Sequence, residues 1–130
     1  MNLKQTLLAN NYSIIASNGY YSLDSGIKPV ISKIKDDKDY FSGLEVVDKI
    51  VGKASAMLLV YSGVSKVYAL VLSLAGKQIL DKYNIEYQYD ELVPYIINRR
   101  GDGMCPMEIT VKDIDDLKDA YDALLNKVYE

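Results

Sequence analysis

Apolar positions along the chain alternate between a helical and a strand-like period, which predicts an α/β protein. Leu3, Leu7 and Leu8 lie on one face of a short N-terminal helix. Residues 12–16 and 20–23 have strand composition, and Asn18-Gly19 between them predicts a hairpin with a type I′ turn. Helical spacing of apolar residues from 27 to 34 then predicts a second helix.

The middle of the chain carries the longest apolar segment. Ser42 and Glu45 have the spacing of a capping box, which predicts a helix of about 20 residues over 42–62 that is buried on most sides. Gly63 is placed to adopt the left-handed conformation after it. The apolar run 66–72 predicts a strand covered on both faces by helices.

The last third alternates again between the two periods. Ser73 is the expected cap of a helix that Asn84 ends, and residues 85–89 alternate as a strand. A loop region follows, and Asp113 is the expected cap of a final amphipathic helix. Strands that alternate with helices, together with an antiparallel hairpin, predict a mixed sheet with helices on both faces, in one domain over residues 1–130.

Composition excludes several classes of function. The net charge of −3 and a pI near 5.0, with scattered lysines, argue against long nucleic acid and an anionic membrane surface as partners. Neither a signal peptide nor a membrane span is recognised, so we expect a cytoplasmic protein. The chain has no His and one Cys, which excludes the usual zinc sites and histidine-dependent catalysis, so we expect neither metal nor cofactor.

Within the expected long helix, five residues form a strip of small and charged side chains. They are Asp48, Lys49, Gly52, Lys53 and Ser55. One interpretation is a solvated edge at which glycine allows close packing. The other is a binding surface, in which a lysine holds an anion or acts as a base or nucleophile.

A second set of polar residues is concentrated between 95 and 108. Asn98, Arg99 and Arg100 precede Gly-Asp-Gly, and this combination suits a phosphate or carboxylate, although it also suits an ordinary solvated turn. Cys105 and Glu108 flank Pro-Met, where the thiol is either an inert buried residue or a nucleophile, and the carboxylate an acid, a base or a lysine partner.

Three segments in this order resemble a bacterial and archaeal family, domain of unknown function 1893. The segments are 48–54 (DKIVGKA), 92–99 (LVPYIINR) and 105–108 (CPME). The resemblance covers nearly the whole chain and implies a cytidine deaminase-like fold, a three-layer α/β/α sandwich with a mixed sheet. It also implies a pocket at the ends of the central strands, where two helices begin.

The zinc ligands of true deaminases are missing from the corresponding positions of this chain. Residues 52–54 (GKA) and 73–76 (SLAG) stand there, so zinc-dependent deamination is not expected. The leading hypothesis is a small anionic ligand, such as a nucleotide or related metabolite, held by Lys49, Lys53, Ser55, Asn98, Arg99 and Arg100, with Asp48, Cys105 and Glu108 orienting it or acting on it. Covalent or sulfur-carrier chemistry at Cys105 and a non-catalytic homodimeric interaction module are the alternatives.

Overall fold

A computed structural model describes residues 2–130 as a five-stranded mixed sheet with six helices. The sheet order is β2-β1-β3-β4-β5, in which β1 is antiparallel to both β2 and β3, while β3, β4 and β5 are parallel. The elements are α1 (Leu3–Asn10), β1 (Ile14–Ala16), β2 (Tyr21–Ser22), α2 (Lys28–Asp36), β3 (Glu45–Val51), α3 (Lys53–Tyr61), β4 (Lys66–Ser73), α4 (Leu74–Lys82), β5 (Glu86–Val93), α5 (Pro106–Val111) and α6 (Leu117–Tyr129). The α/β class and the mixed sheet are therefore confirmed.

The expected long helix over 42–62 is wrong in its first half. Glu45–Val51 is strand β3, Gly52 is the break, and only Lys53–Tyr61 is helical. The strand contains four β-branched residues in seven, which fit a pleated sheet better than a helix, and it pairs with β4 on one side and β1 on the other. The capping box is also wrong, because the backbone N–H of Glu45 donates to Ser17 Oγ at 3.0 Å.

The N-terminal hairpin is confirmed, but its turn is not type I′. Of the pair Asn18-Gly19, only Gly19 has a positive φ, 95°. The Gly19 N–H donates to the Ala16 carbonyl at 3.0 Å, and the Ala16 N–H donates to the Tyr20 carbonyl at 2.8 Å. This is the pattern of a longer hairpin loop built around a type I turn that ends in a left-handed glycine.

The remaining predicted elements are present with shifted ends. The helix at 27–34 is α2, the strand at 66–72 is β4, and Ser73 caps α4 by accepting the Gly76 N–H at 3.0 Å. The cap of α6 is Asp116, which accepts the Asp119 N–H at 2.9 Å, so the assignment to Asp113 is wrong by three residues. Helix α5 lies within the segment expected to be loop.

The sheet carries helices on both faces. On one face, Leu3 and Leu7 of α1 pack against Ile15 and Val47. On the other face, the main core joins the sheet to α2, α3, α4, α5 and α6 around Phe41. Because β3 and β4 are parallel neighbours, α3 and α4 both begin at the carboxyl ends of these strands. No helix among residues 2–130 is long and apolar enough to cross a membrane.

Candidate functional site

A cavity of about 630 Å³ borders the first turn of α3. Its lining comes from the junction between β3 and α3, the segment that leads into α5, the start of α2 and the end of α6. Aliphatic side chains supply its apolar lining: Ile27, Ile50, Ile96, Ile97, Met107 and Val128. Polar and charged residues from four helices and two loops complete it, so the cavity exists only in the folded chain.

Four cationic residues line this cavity, namely Lys28, Arg99, Arg100 and Lys127. Lys127 Nζ lies 3.5 Å from Glu130 Oε1. Arg99 is held in place because its Nη2 donates to Ser25 Oγ at 2.9 Å, which connects the loop before α5 to the loop before α2. Arg100 is mostly exposed, and its Nε lies 3.9 Å from Asp102 Oδ2. Among residues 2–130, Glu108 is the only acidic residue in the lining.

Glu108 caps helix α3 from α5. Its Oε1 accepts the Lys53 N–H at 2.7 Å and its Oε2 accepts the Ala54 N–H at 2.8 Å. Helix N-termini carry unpaired N–H groups, and Gly52 at the cap position has no side chain to satisfy them. Burial raises the pKa of Glu108, whereas the two backbone hydrogen bonds act to lower it. Both carboxylate oxygens are therefore engaged within the protein.

The glycine at position 52 is needed for this capping arrangement. A Cβ built there would lie 2.1 Å from Glu108 Oε1 and 2.8 Å from Ile96 Cγ1. Such distances are far inside van der Waals contact, so any larger residue would displace the Glu108 carboxylate. The motif segments 48–54 and 105–108 are thus in direct contact through Gly52 and Glu108.

The loop between Ile97 and Met104 is organised by Asn98. Its Oδ1 accepts the Gly101 N–H at 2.8 Å, and its Nδ2 donates to Asp102 Oδ1 at 2.8 Å. Gly101 has a φ of 76°, which the turn requires. Asn98 lines the cavity, but its side chain is already used to shape the loop that presents Arg99.

Ser55 and Cys105 are two small polar residues of the cavity lining. Ser55, in the first turn of α3, is 4% exposed, and its Oγ has no hydrogen-bond partner among the described residues. Cys105 is a partly buried free thiol whose backbone N–H donates to the Ile96 carbonyl at 2.9 Å. Its side chain reaches the same cavity from the segment before α5.

The strip of residues expected on one helix is divided by the fold, so that interpretation is wrong in its geometry. Asp48 and Lys49 are in strand β3, Gly52 is the junction, and Lys53 and Ser55 are in α3. Gly52 and Ser55 line the cavity, together with Asn98, Arg99, Arg100, Cys105 and Glu108. Neither Asp48 nor Lys49 is part of the lining found for residues 2–130.

The three charged residues of the strip are Asp48, Lys49 and Lys53, and they lie outside the lining of the larger cavity found for residues 2–130. Asp48 is 7% exposed, and burial raises its pKa to about 7, although backbone hydrogen bonds from Ile50 and Lys49 oppose the shift. Lys49 Nζ donates to Asn11 Oδ1 at 2.6 Å. Lys53 Nζ donates to the Lys112 carbonyl at 3.0 Å, beside a smaller cavity of about 310 Å³ that Glu108 also borders. Their predicted roles as ligands or catalytic groups stay predictions.

Sequence reasoning missed Lys28, Lys127 and Ser25 as parts of the site. Nothing local distinguishes these residues, since Lys28 precedes the proline of α2 and Lys127 lies in the last turn of an amphipathic helix. Only the packing of α2 and α6 around α3 brings them to the cavity. In the part of the chain described, no cluster of three or more His, Cys, Asp or Glu side chains is placed to hold a metal ion.

Comparisons with known proteins place this architecture beside one family. The family model for a domain of unknown function (DUF1893) matches residues 2–128. The crystal structure of a DUF1893 family protein from Thermotoga maritima matches with a TM-score of 0.88 and 31% identity, covering 95% of this chain and 86% of that chain. No curated protein matches the chain. The comparisons therefore support the family and the fold, and they assign no function.

Proposed function

The chain belongs to the DUF1893 family, and we propose that it binds a small organic anion, such as a nucleotide or a related metabolite, in the cavity beside α3. The observation that carries the proposal is the charge of the lining. Lys28, Arg99, Arg100 and Lys127 contribute four positive charges, while both oxygens of Glu108 are bound to α3. Arg100 and Lys127 have acidic neighbours outside the lining, Asp102 at 3.9 Å and Glu130 at 3.5 Å, so Lys28 and Arg99 are the cations of the lining without an ion pair among residues 2–130.

Arg99 is the cation best prepared to bind an anion. One guanidinium nitrogen is fixed by Ser25, and the guanidinium carries further N–H donors in a planar fork that matches carboxylate and phosphate oxygens. A guanidinium that is already oriented loses less conformational freedom on binding than a free side chain. Lys28 and Lys127 contribute further positive charges from α2 and α6, and Lys127 is paired with Glu130 at 3.5 Å.

The apolar part of the lining favours an organic anion over an inorganic ion. A volume of about 630 Å³ lies in the range of small-molecule sites, which are typically apolar with a few placed polar groups. Ile50, Ile96 and Met107 would contact the body of such a ligand. Phosphate or sulfate alone would leave most of this surface uncovered.

We also propose that the fold is cytidine deaminase-like and that the site works without zinc. Helices α3 and α4 begin at the carboxyl ends of neighbouring strands. A Cβ on Gly76 would lie 3.1 Å from the Gly52 carbonyl oxygen, so the two helix starts are in close contact. The residues at these starts, 52–54 and 73–76, include no His or Cys. Binding, rather than zinc-dependent hydrolysis, is what these residue types support.

Thermal unfolding tests the proposal, because a ligand that binds only the folded state raises the melting temperature. Nucleoside monophosphates, sugar phosphates and aromatic carboxylates are compared with their uncharged counterparts. We expect stabilisation by charged members of the panel, lost in Arg99→Gln and reduced in Lys127→Gln. Lys118→Gln is the matched control, since Lys118 is on the same helix but outside the lining. Equal shifts for charged and uncharged compounds would contradict the proposal.

A homodimeric interaction module is the second candidate function, favoured by strand β5. The sheet order places β5 at an edge, and in the described chain this strand pairs with β4 alone. Tyr89 and Leu92 of this strand are 39% and 38% exposed. An open edge strand can pair with a second copy across a two-fold axis. Sedimentation velocity of wild type and Leu92→Lys tests this candidate, which requires a concentration-dependent dimer that the lysine weakens.

A further inference from the structure

We infer that Ser55 is a specificity contact for the bound ligand, which must therefore be an organic anion carrying a second, uncharged hydrogen-bonding group apart from its acidic group. The inference rests on the proposed function and narrows its ligand class. It depends on one feature of the lining, a buried hydroxyl that the protein itself leaves without a partner.

Ser55 differs from the other buried serines of the protein. Ser62 Oγ accepts the Phe41 N–H at 2.9 Å, and Ser73 Oγ accepts the Gly76 N–H at 3.0 Å. Ser55 Oγ is the single buried side-chain oxygen or nitrogen without a partner within residues 2–130. A buried polar group without a hydrogen bond destabilises the folded state, whereas an alanine methyl group at this position would need no partner. The structure thus keeps a hydroxyl where packing alone favours a methyl group.

Ser55 Oγ is itself buried in this rotamer, so it meets a ligand only after the side chain turns toward the cavity that the residue lines. Ser55 is in the first turn of α3 and belongs to the cavity lining, whereas the four cations come from α2, α6 and the loop before α5. The acidic group of a ligand would therefore bind residues of α2, α6 and the loop before α5, while its second polar group binds Ser55 of α3. Aliphatic side chains such as Ile50 and Met107 complete the lining with them.

The chemistry of the hydroxyl defines what it can recognise. Serine both donates and accepts, so its partner can be an amide, a hydroxyl or a ring nitrogen with an adjacent carbonyl. Rotation about the Cα–Cβ bond between staggered positions allows the oxygen to turn toward a ligand. A ligand that lacks such a group would leave Ser55 unpaired and bind more weakly.

Two ligands that differ only in this group test the inference. Inosine monophosphate carries a 6-oxo group and an N1–H that purine riboside monophosphate lacks. We expect wild type to bind inosine monophosphate about tenfold more tightly, and Ser55→Ala to abolish the difference by weakening only inosine monophosphate. Calorimetric titration of the full chain measures both dissociation constants. The pair 4-hydroxyphenylacetate and phenylacetate gives the same comparison for an aromatic carboxylate.

Stability of the free protein separates a binding role from a structural one. If Ser55 serves the ligand, Ser55→Ala has a melting temperature equal to or above that of wild type without ligand. Ser62→Ala is the matched control and melts lower, because it removes a hydrogen bond to Phe41, without changing the ratio of the two dissociation constants.

The outcomes distinguish this inference from the proposed function. Binding of either acid with a ratio that Ser55→Ala leaves unchanged overturns the role of Ser55 and leaves the cavity as an anion site. A lower melting temperature of free Ser55→Ala also overturns it. Absence of binding by all four compounds overturns the proposed function and the inference together.

Discussion

The Glu108 side chain accepts the backbone N–H of Lys53 at 2.7 Å, across 55 positions of sequence. This hydrogen bond joins α5 to the start of α3 and supplies the cap that Gly52 lacks. It also engages Glu108, the one acidic residue of the lining in the part of the chain that the structure describes. The same contact therefore stabilises the fold and keeps the Glu108 carboxylate from pairing with the cations of the cavity.

Replacing Glu108 by glutamine should lower the free energy of unfolding by about 1–3 kcal/mol. An amide has one acceptor oxygen where the carboxylate has two, so one of the N–H groups of Lys53 and Ala54 loses its partner. Urea denaturation measures the change. Glu91→Gln, at an exposed position on β5, is the control and should stay within about 0.5 kcal/mol of wild type. Equal effects of the two substitutions would argue against the capping role.

Gly52→Ala should destabilise the protein by about 1–3 kcal/mol or more, because the new methyl group would overlap the Glu108 carboxylate. Gly103→Ala is the matched control. The nearest atom to a Cβ at position 103 is Asn98 Nδ2 at 3.7 Å, an ordinary contact, so that variant should unfold like wild type. A tolerated alanine at position 52 would mean that Glu108 caps α3 less rigidly than the structure indicates.

Asp48→Asn should make the protein more stable at pH 8 than wild type. In the folded state the carboxyl keeps its proton up to a pKa of about 7, whereas in the unfolded chain it ionises near 3.8. The folded state therefore binds more protons between these values, and wild type loses stability as the pH rises from about 4 to 7. At roughly 1.4 kcal/mol per pKa unit, the loss is on the order of 4 kcal/mol.

Denaturation at pH 4.5, 6 and 8 measures this effect. Asparagine keeps an oxygen that can accept the Ile50 N–H, which Asp48 Oδ1 accepts at 3.3 Å, but it has no proton to lose. Glu108 contributes a dependence on pH of the same sign, because its pKa is also raised, and it remains in the variant. The free energy of unfolding of Asp48→Asn should therefore still fall with pH, but less steeply than that of wild type. Asp113→Asn, at an exposed position, should follow wild type. A steeper or unchanged slope in Asp48→Asn would contradict the assignment.

Much of the fold is predictable from the sequence, and the main error has a physical cause. The motif resemblance to DUF1893 is confirmed, as are the hairpin, α2, β4 and the Ser73 cap. Over residues 45–51 a run of apolar residues fits both periods, and only pairing with β1 and β4 decides for a strand. Asp48 therefore lies in the sheet and Ser55 in a helix. A single helix over residues 42–62 does not predict this separation.

The candidate site is predictable only in part for a related reason. Gly52, Ser55, Arg99 and Glu108 are recognisable because they lie in compact motifs of polar and small residues. Lys28 and Lys127 come from the ends of ordinary amphipathic helices, and their place in the lining depends on tertiary packing. Local patterns carry no information about such contacts.

Cys105 should react in the native protein with a dianionic aromatic disulfide reagent, because its partly buried side chain lies in the cation-lined cavity. The thiolate attacks the reagent, forms a mixed disulfide and releases an aromatic thiolate that is measured by absorbance. Inosine monophosphate should slow the reaction, and Arg99→Gln should slow it as well. A thiol that reacts only after unfolding would remove the covalent and sulfur-carrier alternatives.

The most direct test of the central claim is a calorimetric titration of wild type and Arg99→Gln with inosine monophosphate and with inosine. The account predicts saturable binding of one inosine monophosphate per chain, with affinity at least about tenfold lower for inosine and for the Arg99→Gln variant. Binding of the two compounds with equal affinity, or unchanged binding by Arg99→Gln, would contradict an anion site in this cavity.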